Sequence, residues 1–355
     1  MNSRGDYQKE KKKVITILLV VVAIFLVFGT AYVIIQKRVP ISSQERQALE
    51  TTEGGLFDTP TPKPQVMGSI KLGDEKFDYY DDINTYLFYG TDDTGVGGKA
   101  TANVARSDYR GSMADSIMIL VVNHTREQYM IIPVNRDTMT KVHLINQEGK
   151  GEATADIQIC TSHWYGGTLE ESDANTLKAV SDFLGGVKFD GFYSMYMRDI
   201  GKLNNSVGGV EVTIEDDFSK VDKSLKRGET ITLSDEQAFT YVHDRYDVGD
   251  EKNTSRMNRQ QAFLSSFMKK AKEKFKESPG WINDIFGTLK DSSSSDLSAG
   301  KLSKIMTDIS AYKPLGTQSI EGESKLGKAL GDGKEHAEFY ANEESLIKIL
   351  KKIYT

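Results

Sequence analysis

The chain has a single cysteine, Cys160, among 355 residues. An intramolecular disulfide is therefore excluded, and so are CxxC redox chemistry and cysteine-based zinc modules. It also lacks a basic surplus: its formal net charge is -6, the opposite of the balance expected of a nucleic-acid-binding domain. Neither GxSxG, HExxH nor GxxxxGKS/T occurs, so serine-hydrolase, zincin and P-loop chemistry have no local support. No internal repeat is visible. Hydrophobic residues make up 38% and charged residues 27%, a composition that suits a globular domain with polar appendages.

Long apolar runs are absent with one exception. Val14 to Ile35, "VITILLVVVAIFLVFGTAYVII", carries no charge and is long enough to span ~30 Å of hydrocarbon at ~1.5 Å per residue. Arg4, Lys9, Lys11, Lys12 and Lys13 precede it, and Lys37 and Arg38 follow. The basic N-terminal flank predicts a single-pass membrane protein with a cytoplasmic N-terminus and an extracellular C-terminal domain. A cleaved signal peptide is the alternative, but the run exceeds a usual signal core and no small-residue cleavage site follows it. Residues 1–13 are then cytoplasmic, 14–35 a transmembrane helix, 36–73 an extracellular linker rich in polar residues, proline and glycine, and 74–355 one α/β domain.

Within that domain "TYLFYG" (Thr85–Gly90) reads as a buried strand. "SIMILVV" and "YMIIPV" flank "NHTREQ" and predict a hairpin of two core strands. "TLKAVSDFLGG" predicts a helix ended by glycine, "GGVEVTI" another strand, and "SDEQAFTYVHDR" a short helix. "DSSSSDLSAG" is a loop or N-cap cluster, and "NEESLIKILKKIYT" a terminal amphipathic helix.

Against the acidic average, "HDRYDVGDEKNTSRMNRQQ" (His243 to Gln261) gathers Arg245, Arg256 and Arg259 around a loop and a helix start. Ala262, Phe263, Leu264, Phe267 and Met268 have amphipathic helix spacing, with Thr254 or Ser255 as the natural N-cap. Cations in a first helical turn oppose the macrodipole by ~0.3–1 kcal/mol. A bound anion would justify that placement, and Gln260, one turn after Arg256, would donate to the same oxygens. Arg136 follows a strand in "IPVNRDT", where its guanidinium would fork onto a phosphate or pair with Asp137. Asp92 and Asp93 end one strand and Asp115 begins another, as ligands for a hard cation or as turn and capping residues. Asp250 would orient the arginines, bind metal or cap its loop. His163, Trp164 and Tyr165 form either a glycan-stacking platform or core packing, and Cys160 reads as a buried, inert thiol.

Together these pieces resemble the LytR-CpsA-Psr (LCP) family of membrane-anchored glycopolymer transferases. The resemblance runs from about Asp74 to the C-terminus through "YGTD", "MADSIMIL", "VNRDT", "QICTSHWYGG", "GGV" and the arginine-rich stretch. It implies a three-layer α/β domain, a central mixed β-sheet flanked by helices, with an apolar channel for a polyprenyl chain. It implies transfer of a glycopolymer, of teichoic acid or capsular type, from a polyprenyl-pyrophosphate carrier to a peptidoglycan acceptor. On that pattern Asp92 and Asp115 would hold Mg²⁺, with Mn²⁺ as substitute. Asp92, Asp115, Arg136 and Asp250 would be catalytic, while Arg136, Arg245, Arg256, Arg259 and Gln260 would bind the pyrophosphate. Three positions depart from it. Met113, Gln158 and His243 stand where the family carries arginine, lysine and arginine, and Lys99, Arg106 and Arg110 of the insertion "TGVGGKATANVARSDYRGS" are the candidate substitutes. A non-catalytic scaffold or sensor for polyprenyl-linked intermediates is the second expectation. Transcriptional control, a role the family's labels sometimes carry, is disfavoured by the absence of a basic DNA-binding module.

Overall fold

The computed structural model describes residues 64–92, 111–145, 152–278 and 280–354. The expected membrane span therefore lies outside the described residues, as do Asp93, Lys99, Arg106 and Arg110. Among the described residues no helix is long and apolar enough to cross a membrane.

In chain order the elements begin with β1 (Val66–Leu72), β2 (Glu75–Tyr80), β3 (Ile83–Thr91), β4 (Ala114–Asn123), β5 (Gln128–Val134), β6 (Met139–Ile145) and β7 (Glu152–Gln158). Next come α1 (Thr161–Trp164), α2 (Leu169–Phe183), β8 (Gly191–Tyr196), α3 (Ile200–Ser206), β9 (Glu211–Thr213), β10 (Thr230–Thr232) and α4 (Asp235–His243). The chain continues through α5 (Asn253–Glu277), α6 (Trp281–Leu289), β11 (Ser293–Ser295) and α7 (Ala299–Ala311). It closes with β12 (Lys313–Thr317), β13 (Gly322–Gly327), β14 (His336–Ala341) and α8 (Glu343–Tyr354).

Six strands form the central sheet in the order β11-β8-β3-β4-β5-β12. It is mixed: β3 runs antiparallel to β4 and β4 to β5, whereas β8 is parallel to β3 and β12 parallel to β5. Side chains alternate across the strands, and both faces are apolar. Tyr86, Phe88, Leu120, Val122 and Ile131 point into a core made with α4, α5, α6 and α7. Leu87, Tyr89, Ile119, Val121 and Ile132 point into a second core with α2, α8 and the hairpins β1–β2 and β6–β7. The result is three layers, as the family resemblance implies.

Particular elements differ from expectation. The linker ends earlier than Gly73, because Val66–Leu72 is already a strand, paired with β2 and bonded through Lys71 N–H to the Gly185 carbonyl. Its buried Ile70, at 0% exposure, explains why a segment that reads as tether is fixed to the domain. "GGVEVTI" supplies only a three-residue strand, in a small ribbon with β10 rather than in the central sheet. "DSSSSDLSAG" is more than a loop: it adds edge strand β11 and then Ser298, whose side chain caps α7 by accepting from the Lys301 N–H.

Helix α5 begins at Asn253 with Lys252 as its N-cap, not at Thr254 or Ser255. Arg256 is thus in the first turn and Arg259 is beyond it. Phe263, Phe267, Ala271 and Phe275 bury one face against the sheet, while Ala262 is exposed. Burial of each phenylalanine stabilises this packing by roughly 1.5–3 kcal/mol.

Topology brings three strand ends to one rim. β3 ends beside the start of β4, with Thr91 opposite Ala114, and β5 ends at Val134 opposite Ile117. Asp92, Asp115 and Arg136 consequently share an edge of the sheet. The loop between α4 and α5 covers that edge.

Candidate functional site

Buried charges alternate along the rim. Arg245 lies 3.7 Å from Asp137, Asp137 lies 3.5 Å from Arg136, Arg136 pairs closely with Asp115, and Asp115 lies 3.9 Å from Arg256. Of the two readings the sequence leaves open for Arg136, the structure shows the carboxylate pairing, with Asp137 and also with Asp115. Three guanidiniums share these two carboxylates in a desolvated place, with Asp92 close enough to act on Arg136 and Arg256 as well. Burial first, and then the nearby charges of Arg136 and Arg245, pull the Arg256 guanidinium down to about 9. Burial pushes the Asp137 carboxyl up, against the opposing pull of Arg136 and Arg245. An anion entering here would relieve the repulsion among the arginines.

The sequence reasoning passed over the residues that aim Arg256. Asn253 Oδ1 accepts from Arg256 Nε at 3.1 Å and Nη2 at 2.7 Å, and its Nδ2 donates to Asn135 Oδ1 at 2.7 Å. An asparagine three residues before the arginine is the signal that a correct helix start would have exposed, since i and i+3 share a helix face.

His243, the last residue of α4, sits between the aspartates. Its Nε2 lies 3.1 Å from Asp92 Oδ1 and 3.9 Å from Asp115 Oδ2, and its Nδ1 lies 3.0 Å from Asp244 Oδ1. Burial opposes its charge, but the hydrogen bonds to Asp244 and Asp92 outweigh that and push it up to about 9. The same bond from His243 holds Asp92 below the usual carboxylate range. His243 thus retains a positive charge where the family has arginine. One donor atom each from Asp92, Asp115 and His243 falls within a 4.8 Å cluster. Two hard carboxylate oxygens on neighbouring strands fit a divalent cation such as Mg²⁺ or Mn²⁺. Asp92, with 47% of its side chain exposed, leaves the outer side open to phosphate oxygens.

Directly behind the rim, between the sheet and helices α3, α4 and α5, lies a narrow apolar cavity open to solvent. Phe88, Met118, Met195, Met197, Phe263 and Leu264 contribute to its walls. Gly90 belongs to the lining because a Cβ there would collide with Met197. Gln260 and Ser116 stand in the same lining; Gln260 donates to the Val242 carbonyl at 3.1 Å and accepts from Ser116 at 3.4 Å.

Two expected site residues do not join the others. Arg259 donates to Asp216 at 2.9 Å and to the Asp244 carbonyl, and it lies over the Phe218 ring at 5.1 Å. It braces the loop between the helices instead of facing an anion. Asp250 accepts from the Lys252 N–H at 3.0 Å and the Ser255 hydroxyl at 2.7 Å, a loop-capping role without contact to Asp92 or Asp115 among its described bonds.

The remaining positions divide. Met113 meets the clamp directly, its sulfur 2.8 Å from Arg136 Nη2. Gln158 is buried and donates to the Ala337 carbonyl at 3.0 Å, tying β7 to β14. His163 is buried and bonds the Ser112 carbonyl at 2.8 Å, while Trp164 is 45% exposed and stacks on Tyr165. Burial pushes the Cys160 thiol up, as an inert thiol requires.

The LytR_cpsA_psr family model matches residues 62–352. Among solved structures the chain is similar to TagV of B. subtilis, at 17% identity and a TM-score of 0.56, covering 77% of this chain and 96% of that one. It is similar to the Lin1025 protein of Listeria innocua at 22% identity and a TM-score of 0.52, covering 77% and 97%. TagT bound to LI-WTA aligns at 20% identity and a TM-score of 0.53, covering 77% and 90%. None of the curated proteins matches the chain in sequence.

Proposed function

The chain belongs to the LytR_cpsA_psr family, and from that premise and the geometry of the rim we propose that it is a Mg²⁺-dependent phosphotransferase. Its reaction moves a cell-wall glycopolymer from a polyprenyl-pyrophosphate carrier to peptidoglycan. One observation carries this reading: Arg136 and Arg256 converge on Asp115, whose chain neighbour Ser116 already lines an apolar cavity. A polyprenyl pyrophosphate has the matching two halves, an apolar chain and a concentrated anion. The complex of the structural relative TagT with LI-WTA supports a wall-polymer intermediate as occupant.

Arg136, Arg245 and Arg256 bind and orient the pyrophosphate while the cavity wall excludes water from the leaving side. A glycan hydroxyl of peptidoglycan attacks the phosphorus that bears the polymer. The new P–O bond forms as the bond to the departing polyprenyl phosphate breaks, and the hydroxyl proton is given up to the carboxylate-lined rim. Such a transfer needs positioning and charge neutralisation more than covalent help. Asp92 and Asp115 would hold a divalent cation, which when bound would further neutralise the phosphate oxygens.

A binder without catalysis is the second reading, favoured by Met113 and Gln158 at positions where the family carries cations. The aspartates separate the two. Asp92→Ala or Asp115→Ala should abolish cation-dependent transfer to a peptidoglycan acceptor, with lipid still bound, because losing Asp115 frees two arginines for the anion. Wild-type protein that binds the lipid-linked glycan yet neither transfers nor cleaves it with Mg²⁺ or Mn²⁺ would establish the binder instead.

A further inference from the structure

We propose that His243 is a third metal ligand, and that it tunes the site from Mg²⁺ toward Mn²⁺ and other first-row transition ions. The inference rests on the reading that Asp92 and Asp115 hold a divalent cation.

The geometry is that of a prepared ligand. The His243 ring packs against Phe239, with centroids 4.5 Å apart and planes 17° from parallel, so its orientation is set from within α4. Asp244 Oδ1 stands 3.0 Å from Nδ1. A carboxylate on one imidazole nitrogen fixes the tautomer and leaves the other nitrogen to bind metal, the arrangement in which metal-bound histidines are usually found. That other nitrogen, Nε2, faces Asp92 Oδ1 at 3.1 Å and Asp115 Oδ2 at 3.9 Å. Metal–ligand bonds of about 2.1 Å place donors roughly 3.0 Å apart when cis and 4.2 Å apart when trans. Both distances fall in that span. A cation would take the place of the proton that now bridges His243 and Asp92, since an imidazole must give up that proton to coordinate.

Arginine at this position would add a charge and no donor. Histidine adds an imidazole nitrogen, which Mg²⁺ accepts poorly and Fe²⁺, Ni²⁺ and Zn²⁺ accept well, with Mn²⁺ the weakest of that series and the one visible by resonance. The substitution therefore changes the chemistry of the site as well as its charge.

The full chain in detergent, stripped with chelator and titrated with Mn²⁺, tests the assignment by electron paramagnetic resonance. Mn²⁺ should bind more tightly than Mg²⁺ in competition, and His243→Gln should narrow that difference. Pulsed spectra should show coupling to a directly bound imidazole ¹⁴N. His243→Gln should remove that coupling and weaken Mn²⁺ by roughly 10-fold or more, with Mg²⁺ changed much less; Asp244→Ala should weaken Mn²⁺ by roughly 10–100-fold. Asp92→Asn, at the exposed rim, reports on the carboxylate site itself, and circular dichroism checks the fold of each variant. Mn²⁺ that binds in an Asp92-dependent way without ¹⁴N coupling overturns the histidine ligand and leaves the two-carboxylate site standing. Mn²⁺ binding absent from the wild type, or indifferent to Asp92→Asn, overturns both.

Discussion

Arg136 and Arg256 converge on the buried carboxylate of Asp115, and their mutual repulsion is among the causes that lower the Arg256 guanidinium. Their expected affinity for an anion follows from that residue-scale repulsion. Removing one charged partner from a desolvated anion costs on the order of 2–5 kcal/mol. Arg136→Ala and Arg256→Ala should each weaken binding of a polyprenyl pyrophosphate by that amount while leaving the circular dichroism spectrum unchanged. Calorimetric titration with the lipid checks it, and wild-type affinity in both variants would return these arginines to a structural role. Arg136 and Asp115 were legible in the sequence because each adjoins an apolar strand, and strand ends collect at a rim. His243 was legible only as a missing arginine. That its ring nitrogens meet Asp92 and Asp244 depends on where α4 stops relative to β3.

Helix α5 shows the same limit at the scale of an element. Its arginines at 256 and 259 look alike in sequence and stand on neighbouring positions of one face, yet they meet different partners. Arg256 faces the rim, whereas Arg259 is held by Asp216, the Asp244 carbonyl and the Phe218 ring. Gly249, with φ at 54°, lets the loop turn close against Asp216, where a Cβ would stand 3.0 Å from its side chain. Arg259→Ala would leave Asp216 without its partner and lose the ring contact. We expect a loss of about 2–4 kcal/mol of stability, with affinity for the pyrophosphate lipid changed by less than about threefold. Urea denaturation and the same lipid titration decide it: a stable variant with broken lipid binding would place Arg259 in the clamp after all.

On the scale of the whole molecule the two halves of the proposed substrate need two environments, and the chain provides a place for each. On the proposed function the apolar cavity would take hydrocarbon and the charged rim phosphate. A domain that draws a lipid from a bilayer must stay beside it, which the uncharged run Val14–Ile35 and its basic flank would ensure. Protease added to intact, wall-stripped cells should degrade the C-terminal domain, and an N-terminal tag should survive until the membrane is permeabilised. Full protection of the domain would reverse the topology.

The sequence by itself determined the layers and the edge where Asp92, Asp115 and Arg136 meet. Strands of β-branched and aromatic residues with both faces apolar can be buried only between helical layers, and "TYLFYG", "SIMILVV" and "YMIIPV" are such strands. Antiparallel pairing of neighbours in sequence then sends Asp92, Asp115 and Arg136 to one rim, a consequence of local pairing alone. Tertiary structure decided the rest, because a side chain's partner depends on the direction in which it leaves its element. Starting α5 at Asn253 instead of after Thr254 or Ser255 brings Asn253 onto the helix, three residues before Arg256 and so on one face with it. Asn253 thereby becomes the support of Arg256, while the helix's packing and the loop before it bring Asp216 to Arg259 and keep Asp250 in its loop. Val66–Leu72 was likewise settled by a distant partner: nothing in its own pattern shows that Ile70 will find a core to enter.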